Sequence, residues 1–472
     1  MQPTKTIMTR LFRLSTLARL APVAVVLAAV VAGPAVAPLF SQRYIMWRTN
    51  AQSEPVTVPG VNKPVVVVTR EVRGNVTWSN GFYWVLRGAV FVREGSTLNI
   101  QAGTTIIGEA GSLGTLIVER GARINAIGTR EQPIVFTSDQ PVGARSRGDW
   151  GGLIINGRAP VNLAGGLGTG EGNTGVYGGT DPNDNSGVMR YVRVEFPGVE
   201  FSPDNELNGI AFQGVGRGSS FEYLQAHMSR DDGMEWFGGT VDLKHLVITN
   251  AADDGFDWTF GWSGRAQFVV IGQRGDDADN GIEADNSEFN NNALPRANPQ
   301  LYNFTMCGDP DRNEGGEGPR GAIFRRGTAF TFRNFLVTGF KATGLQIENT
   351  NTATTGQIDN GTTQMGAGVV WNIGVTGVSN GTPLHSSVTA YTNTGRFPDV
   401  RTNVDPGLST TGCANHAAPN FQPTSFQTLA GGQMGPIVPP ADGFFEVTPY
   451  IGAVAPAPND DWTTGWTAYP QR

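Results

Sequence analysis

Six glycines, Gly209, Gly233, Gly255, Gly281, Gly321 and Gly344, each open the same short apolar phrase, at separations of 24, 22, 26, 40 and 23 residues. Two of the phrases read Asp231-Asp232-Gly233-Met234-Glu235-Trp236 and Asp253-Asp254-Gly255-Phe256-Asp257-Trp258, and Asp279-Asn280-Gly281-Ile282-Glu283-Ala284 keeps the pattern. A unit of about 22 residues cannot bury an apolar face alone, but it can when coils stack on one another. The period therefore predicts a solenoid. In the phrase Gly-apolar-x-apolar, strand alternation turns the two apolar residues inward and the middle one outward. Ile210, Met234, Phe256, Ile282 and Leu345 should then form one inward ladder, and Glu235, Asp257 and Glu283 an outward column.

Short strand-like phrases begin earlier, at Trp84-Val85-Leu86, Ala89-Val90-Phe91-Val92 and Thr97-Leu98-Asn99-Ile100, and are separated by glycine-centred turns. Strands this short and this close suit three-sided coils. The 64 glycines, without a collagen period, fit many tight turns. No segment offers an amphipathic helix of about 12 or more residues. A Gly- and Asn-rich excursion over 156–186 reads as a long loop, and a second over 309–319 accounts for the 40-residue gap. Beyond about Thr376 the period fades, and Phe444, Phe445, Trp462 and Trp466 supply apolar mass to cap the open end of the stack.

The first 40 residues read as a targeting segment, with a basic stretch (Lys5, Arg10, Arg13, Arg19) followed by an uncharged run from Leu20 to Phe40. Cleaved signal peptide and uncleaved N-terminal anchor are both open, and any membrane contact is expected only through this segment. Without it the chain has 34 − 4 = 30 basic against 41 acidic residues, a net charge of −11. That balance argues against nucleic acid as a partner and for cations. Cys307 and Cys413 are the only cysteines. Outside the cytoplasm they are candidates for a disulfide, with two buried thiols as the alternative.

Several phrases carry a family likeness. Ile134-Val135-Phe136-Thr137-Ser138-Asp139-Gln140, Arg147-Gly148-Asp149-Trp150-Gly151-Gly152, Tyr191-Val192-Arg193-Val194-Glu195-Phe196 and the Asp-Asp-Gly repeats resemble exported bacterial right-handed parallel β-helix surface proteins. That family is often found with type IX secretion sorting domains and has no established activity; no such sorting domain is expected at this C-terminus. The resemblance implies an all-β chain, a single right-handed parallel β-helix over 81–375, at the cell surface or outside the cell. A linker or cap over 41–80 and a C-terminal cap over 376–472 complete the expected organisation.

The repeated acids are where chemistry is expected. Successive coils lie about 4.8 Å apart, and two like charges at that distance repel by roughly 3.5 kcal/mol at an effective dielectric of 20. A ladder of carboxylates then needs a cation, raised pKa values, or outward splaying into solvent. The metal reading assigns Ca²⁺ to Asp231, Asp253, Asp279, Glu235, Asp257 and Glu283, because hard oxygen ligands suit that ion. The plain alternative is turn chemistry, since Asp side chains hydrogen-bond local backbone. Function follows in two classes. One is a structural or adhesive surface protein binding Ca²⁺ and a polysaccharide or cell-envelope component. The other is a polysaccharide lyase or glycoside hydrolase working through Asp232 and Asp254 on neighbouring coils, with Arg230, Lys244 and Arg274 as the nearby basic groups. An enzyme should show a groove bordered by the two excursions. Trp236 and Trp258 fall in the inward register, which leaves Trp262 freer to stack on a sugar, and His227 and His245 read as core or face residues.

Overall fold

The structure is a computed structural model that describes residues 56–57, 62–202, 205–310, 319–348, 352–375, 379–424 and 435–472. The targeting segment over 1–40 lies outside the described residues, as does 311–318, most of the second excursion.

Nearly all strands join one large sheet wound on itself, in which the strands from Pro64–Val72 onward pair in parallel with their equivalents one coil on, and Val56–Thr57 adds an antiparallel edge. The coil is right-handed, as parallel crossover connections are. Its first face is a stack of short strands that includes Gly152–Asn156, Ile210–Gln213, Met234–Phe237, Phe256–Thr259, Ile282–Ala284, Arg320–Phe324 and Thr343–Ile347. The register pairs Ile210 with Met234, Met234 with Phe256, Phe256 with Ile282, Ile282 with Ala322 and Ala322 with Leu345. All are fully buried, as the period required.

The repeat glycines have a steric cause. A Cβ on Gly233 would lie 2.8 Å from the carbonyl oxygen of Gly255, and one on Gly255 would lie 2.8 Å from that of Gly281. On Gly281 it would meet the carbonyl oxygen of Gly321 at 2.6 Å. Each glycine is thus required by the glycine of the next coil, and the column lets the chain turn tightly into the first face.

The other two faces come from single long strands bent at one residue. Gly187–Glu195, Ser220–His227, Leu243–Thr249, Arg265–Gly272, Gln300–Cys307, Thr331–Thr338 and Gln364–Trp371 stack in register. The bend falls at Tyr191, Tyr223, His245, Phe268, Asn303, Asn334 and Ala367, which all have positive φ, between 51° and 61°. Left-handed backbone is unfavourable for tyrosine and phenylalanine, and ring stacking holds it along the run from Tyr191 to Phe268. Ring centroids lie 4.4 Å apart for Tyr191 and Tyr223, 4.2 Å for Tyr223 and His245, and 4.9 Å for His245 and Phe268.

The boundaries differ from expectation. Parallel pairing starts with Pro64–Val72 against Tyr83–Val92, so the helix takes in half of the region expected to be linker. It extends past 375 to Val400–Arg401. The far end is closed by two short helices, Thr352–Asp359 and Ser386–Asn393, which bring Ile358 and Val388 into the core.

The C-terminal segment does not cap that end. Residues 435–472 run as a strap along the bent corner, back toward the early coils. Asn334 bonds Ile437, Asn303 bonds Thr448 and Gly452, Trp462 and Trp466 pack edge-on to Tyr223, and His227 bonds the Pro470 carbonyl. Cys307 and Cys413 form a disulfide with Cα atoms 6.0 Å apart, tying the third face to the segment that leads into the strap. Trp262, expected to be free, is fully buried and stacks on Trp236 at 5.0 Å. It packs inside because the turn that carries it folds over the end of the first-face strand.

Candidate functional site

Each of these coils leaves the third face by a sharp turn and enters the first face at a repeat glycine; two successive turns carry an acidic pair, Asp231-Asp232 and Asp253-Asp254, and the next carries Asp279-Asn280. Stacking these turns brings the acids together. Three sets of carboxylates interlock: Asp231, Asp232 and Asp253; Asp232, Asp254 and Asp257; Asp253, Asp254 and Asp279. Within each set one oxygen per residue lies within 4.8 Å of the others. Ligands held at about 2.4 Å from one Ca²⁺ sit no further apart than twice that distance, so the spacing fits a shared hard cation.

Two of these residues also shape the turn. Asp232 Oδ1 accepts from the Asp254 backbone N–H at 2.9 Å, and Asp254 Oδ1 accepts from the Asn280 N–H at 2.5 Å. The residue that continues this ladder on the next coil is an asparagine, Asn280, and Arg320 donates to its side chain at 3.3 Å. Turn chemistry and cation chemistry are not alternatives here: each aspartate spends one oxygen on backbone and keeps the other. The half-buried Asp257 differs, for its Oδ1 is shielded from solvent and has no hydrogen-bond donor among the described residues.

The outward column is only partly solvated, with Asp257 and Glu283 half-buried. Glu235 points away from the core yet is only 8% exposed. The 156–186 excursion does not project; it folds down onto the first face, where Val161 and Tyr177 pack with Ile154, Ala211 and Phe237. Asn208 donates to Glu235 at 2.6 Å. Burial first, and neighbouring carboxylates second, push the carboxyls of Asp231, Asp232, Glu235 and Asp254 well above the usual range. Asp257 is raised by burial and then by Asp285, against the pull of Arg325. Asp253 is exposed at its tip but closely surrounded, and its carboxyl is raised by desolvation and then by Asp279, again opposed by Arg325.

Glu283 stands apart from the sets. It is ion-paired to Arg325, which also bonds Asp285 at 3.0 Å. Asp285 is nonetheless raised to about 7, because burial outweighs its arginine partners Arg325 and Arg326. Sequence reasoning missed Arg325. The signal was present one position after the apolar phrase, where register puts Asp285, Arg325 and Glu348 in one column of alternating sign.

The basic groups expected near Asp232 and Asp254 are engaged elsewhere. Arg230 bridges Glu200 and Asp277, Arg274 pairs with Asp276 at 2.9 Å, and Lys244 pairs with Glu446 of the strap at 2.8 Å. Asp276 and Asp277 face Arg147, Arg230 and Arg274 rather than the acidic strip. The 40-residue spacing also holds an excursion over 285–299, pinned by Asn286 on the carbonyls of Asn291 and Ala293.

His227 and His245 are structural. Burial first lowers both to about 3; His227 bonds Thr249 at 2.8 Å and His245 lies in the aromatic stack. Among the described residues no helix is long and apolar enough to cross a membrane.

No curated protein and no solved structure matches this chain. A family model described as a pectate-lyase-like β-helix domain matches residues 70–409. That span covers the parallel stack from the second half of its first long strand to beyond its last pairing, acidic turns included, and the chain belongs to this family.

Proposed function

We propose that this is an exported surface protein that holds Ca²⁺ in its acidic turns and binds an acidic polysaccharide or cell-envelope glycan through that ion. The observation that carries the reading is the set of interlocking carboxylates at Ca²⁺ spacing, with the buried Asp257 oxygen left without a donor. Charges of one sign taken out of water are costly unless paired, and among the described residues the cations beside the sets are Arg325, near Asp253 and Asp257, and Arg320, 3.9 Å from Asp279, fewer than the carboxylates they face. A divalent ion supplies the missing charge, and its open coordination positions accept oxygens from a glycan carboxylate. Export rests on the basic and uncharged N-terminal run and agrees with the disulfide, which persists in oxidising compartments.

The test is calorimetric titration of the full chain with Ca²⁺, then with acidic polysaccharide in Ca²⁺ and in chelator. The reading expects Ca²⁺ binding that Asp253→Asn with Asp257→Asn removes, and glycan binding only when Ca²⁺ is present. Glycan binding unaffected by chelator would refute the bridging role.

One observation favours a second reading, a polysaccharide lyase. Arg325 stands beside Asp253, Asp254 and Asp257, so a basic group and the cation ligands share one site. Burial lowers the Arg325 guanidinium. Its bonds to Glu283 and Asp285 favour the charged form, which holds substrate but does not abstract a proton. Binding is the better-supported role. Release of unsaturated sugar ends from acidic polysaccharides, lost in Arg325→Gln, would establish the lyase instead.

A further inference from the structure

The column of turns that carries the acidic strip also carries a cleft of opposite sign. Arg145, Arg147, Arg230, Arg274 and Arg472 line it together with Asp276 and Asp277, and its volume is about 780 Å³. The two aspartates do not neutralise it. Arg147 is nearly buried and held on the carbonyls of Asn250 at 2.8 Å and Ala251 at 3.1 Å, and it contacts both Asp276 and Asp277. Arg274 adds a second charge on Asp276. Burial would raise the Asp276 carboxyl, but these two arginines together hold it below its ordinary value.

That leaves Arg145 and Arg230. Arg145 is half-buried and bonds only neutral acceptors among the described residues, the Gln140 carbonyl at 3.0 Å and Thr137 Oγ1 at 3.3 Å. Arg230 is 44% exposed and shares Asp277 with Arg147, its other partner being Glu200. Leaving Arg472 aside, four guanidinium groups against the three carboxylates of Asp276, Asp277 and Glu200 leave the cleft net positive in an acidic protein, and Arg145 and Arg230 reach it from different loops.

Guanidinium forks match oxyanions with paired N–H donors. A carboxylate offers two oxygens in one plane and is served by one fork. Donors arriving from separate loops are better matched by a tetrahedral group, which presents three free oxygens when esterified. The volume lies within the usual range for organic ligands, about 300–1,000 Å³, and exceeds what a bare ion fills. We propose that the cleft binds a tetrahedral oxyanion ester, a sulfate or phosphate group carried on a larger polar molecule, independently of the acidic strip.

The experiment titrates the full chain at constant ionic strength with inorganic sulfate, inorganic phosphate and acetate, then with a sulfated oligosaccharide and a hexose phosphate. Both tetrahedral anions should bind more tightly than acetate. Tighter binding of the sulfated oligosaccharide assigns the source as a sulfated glycan, and tighter binding of the hexose phosphate assigns a phosphate ester. Arg145→Gln with Arg230→Gln should weaken binding at least tenfold while leaving Ca²⁺ binding unchanged. Arg145→Lys, which keeps the charge and loses the fork, should weaken it severalfold and guards against a misfolded double variant. Acetate binding as tightly as sulfate, no binding by any tetrahedral anion, or undiminished binding by a folded double variant would overturn the proposal.

Discussion

The acidic turn and the bent corner are built by the same rule and have opposite energetics. Both repeat one kind of residue at one position on successive coils. At the corner the repeated residues are Tyr191, Tyr223, His245 and Phe268, whose rings stack at 4.2 to 4.9 Å. At the turn they are Asp231, Asp253 and Asp279 with Asp232 and Asp254, whose carboxylates crowd within 4.8 Å. A solenoid multiplies whatever chemistry a position carries. Repeated aromatics attract, whereas repeated carboxylates repel. The corner is completed from within the chain by the strap, while at the turn Arg320 and Arg325 face a larger number of carboxylates.

The largest effects should come from undoing the corner. Trp466→Ala removes a buried ring packed against Tyr191 and Tyr223 and should cost about 3–5 kcal/mol. Urea unfolding measures it, and the response to Ca²⁺ should not change. Replacing Cys307 and Cys413 by Ser should cost about 2–5 kcal/mol, because the bridge closes a long loop and secures the start of the strap. An unchanged urea midpoint in either variant would mean that the strap is not integral to the corner.

A smaller loss is expected at the glycine column. Gly255→Ala puts a methyl 2.8 Å from the Gly281 carbonyl and 2.7 Å from Ile271, and should cost about 1–3 kcal/mol. The same substitution at Gly111, which has nothing within 4 Å of its Cβ position, should cost less and serves as the control.

The two regions should also separate by pH. His227 and His245 are lowered to about 3 in the fold, against about 6.5 when unfolded. The unfolded chain binds more protons between those values, so stability falls as pH drops from about 6.5 toward 3. The strip has the reverse sign. Its carboxyls are raised, so the folded chain holds protons that the unfolded chain releases above about pH 4. Stability is then lost as pH rises, with Asp285 contributing up to about 7. In chelator, urea midpoints across this range should peak between the two limbs. His245→Phe should flatten the acid limb, and Asp254→Asn the alkaline one. A curve indifferent to both variants would remove the electrostatic contrast.

The first face was legible because its rule is local: glycine, then apolar residues at alternate positions, so Ile210 through Leu345 could be aligned by eye. The αL corner was not, because Tyr191, His245 and Asn303 share a backbone angle rather than a residue type. The strap was misread as an end cap, since Trp462 and Trp466 announce that they will be buried but not against which surface. In the acidic strip the residues were legible and their state was not. Glu235 sits in the outward register, and only the folded-down 156–186 excursion shows that outward does not mean solvated. Arg230 and Lys244 were close in sequence but pair with Asp277 and Glu446, which are distant along the chain.

The central claim is that the acidic strip is completed by a divalent cation. Its most direct test is the thermal melt of the full chain at pH 7 in Ca²⁺ and in chelator, alongside a variant carrying Asp254→Asn and Asp257→Asn. Binding to the folded form alone should add about 2.7 kcal/mol at a hundredfold excess of Ca²⁺ over Kd. The native chain should then melt higher in Ca²⁺, and the variant should melt at one temperature in both. Identical melts of the native chain in Ca²⁺ and in chelator would contradict the account, leaving the strip as turn chemistry that holds its protons.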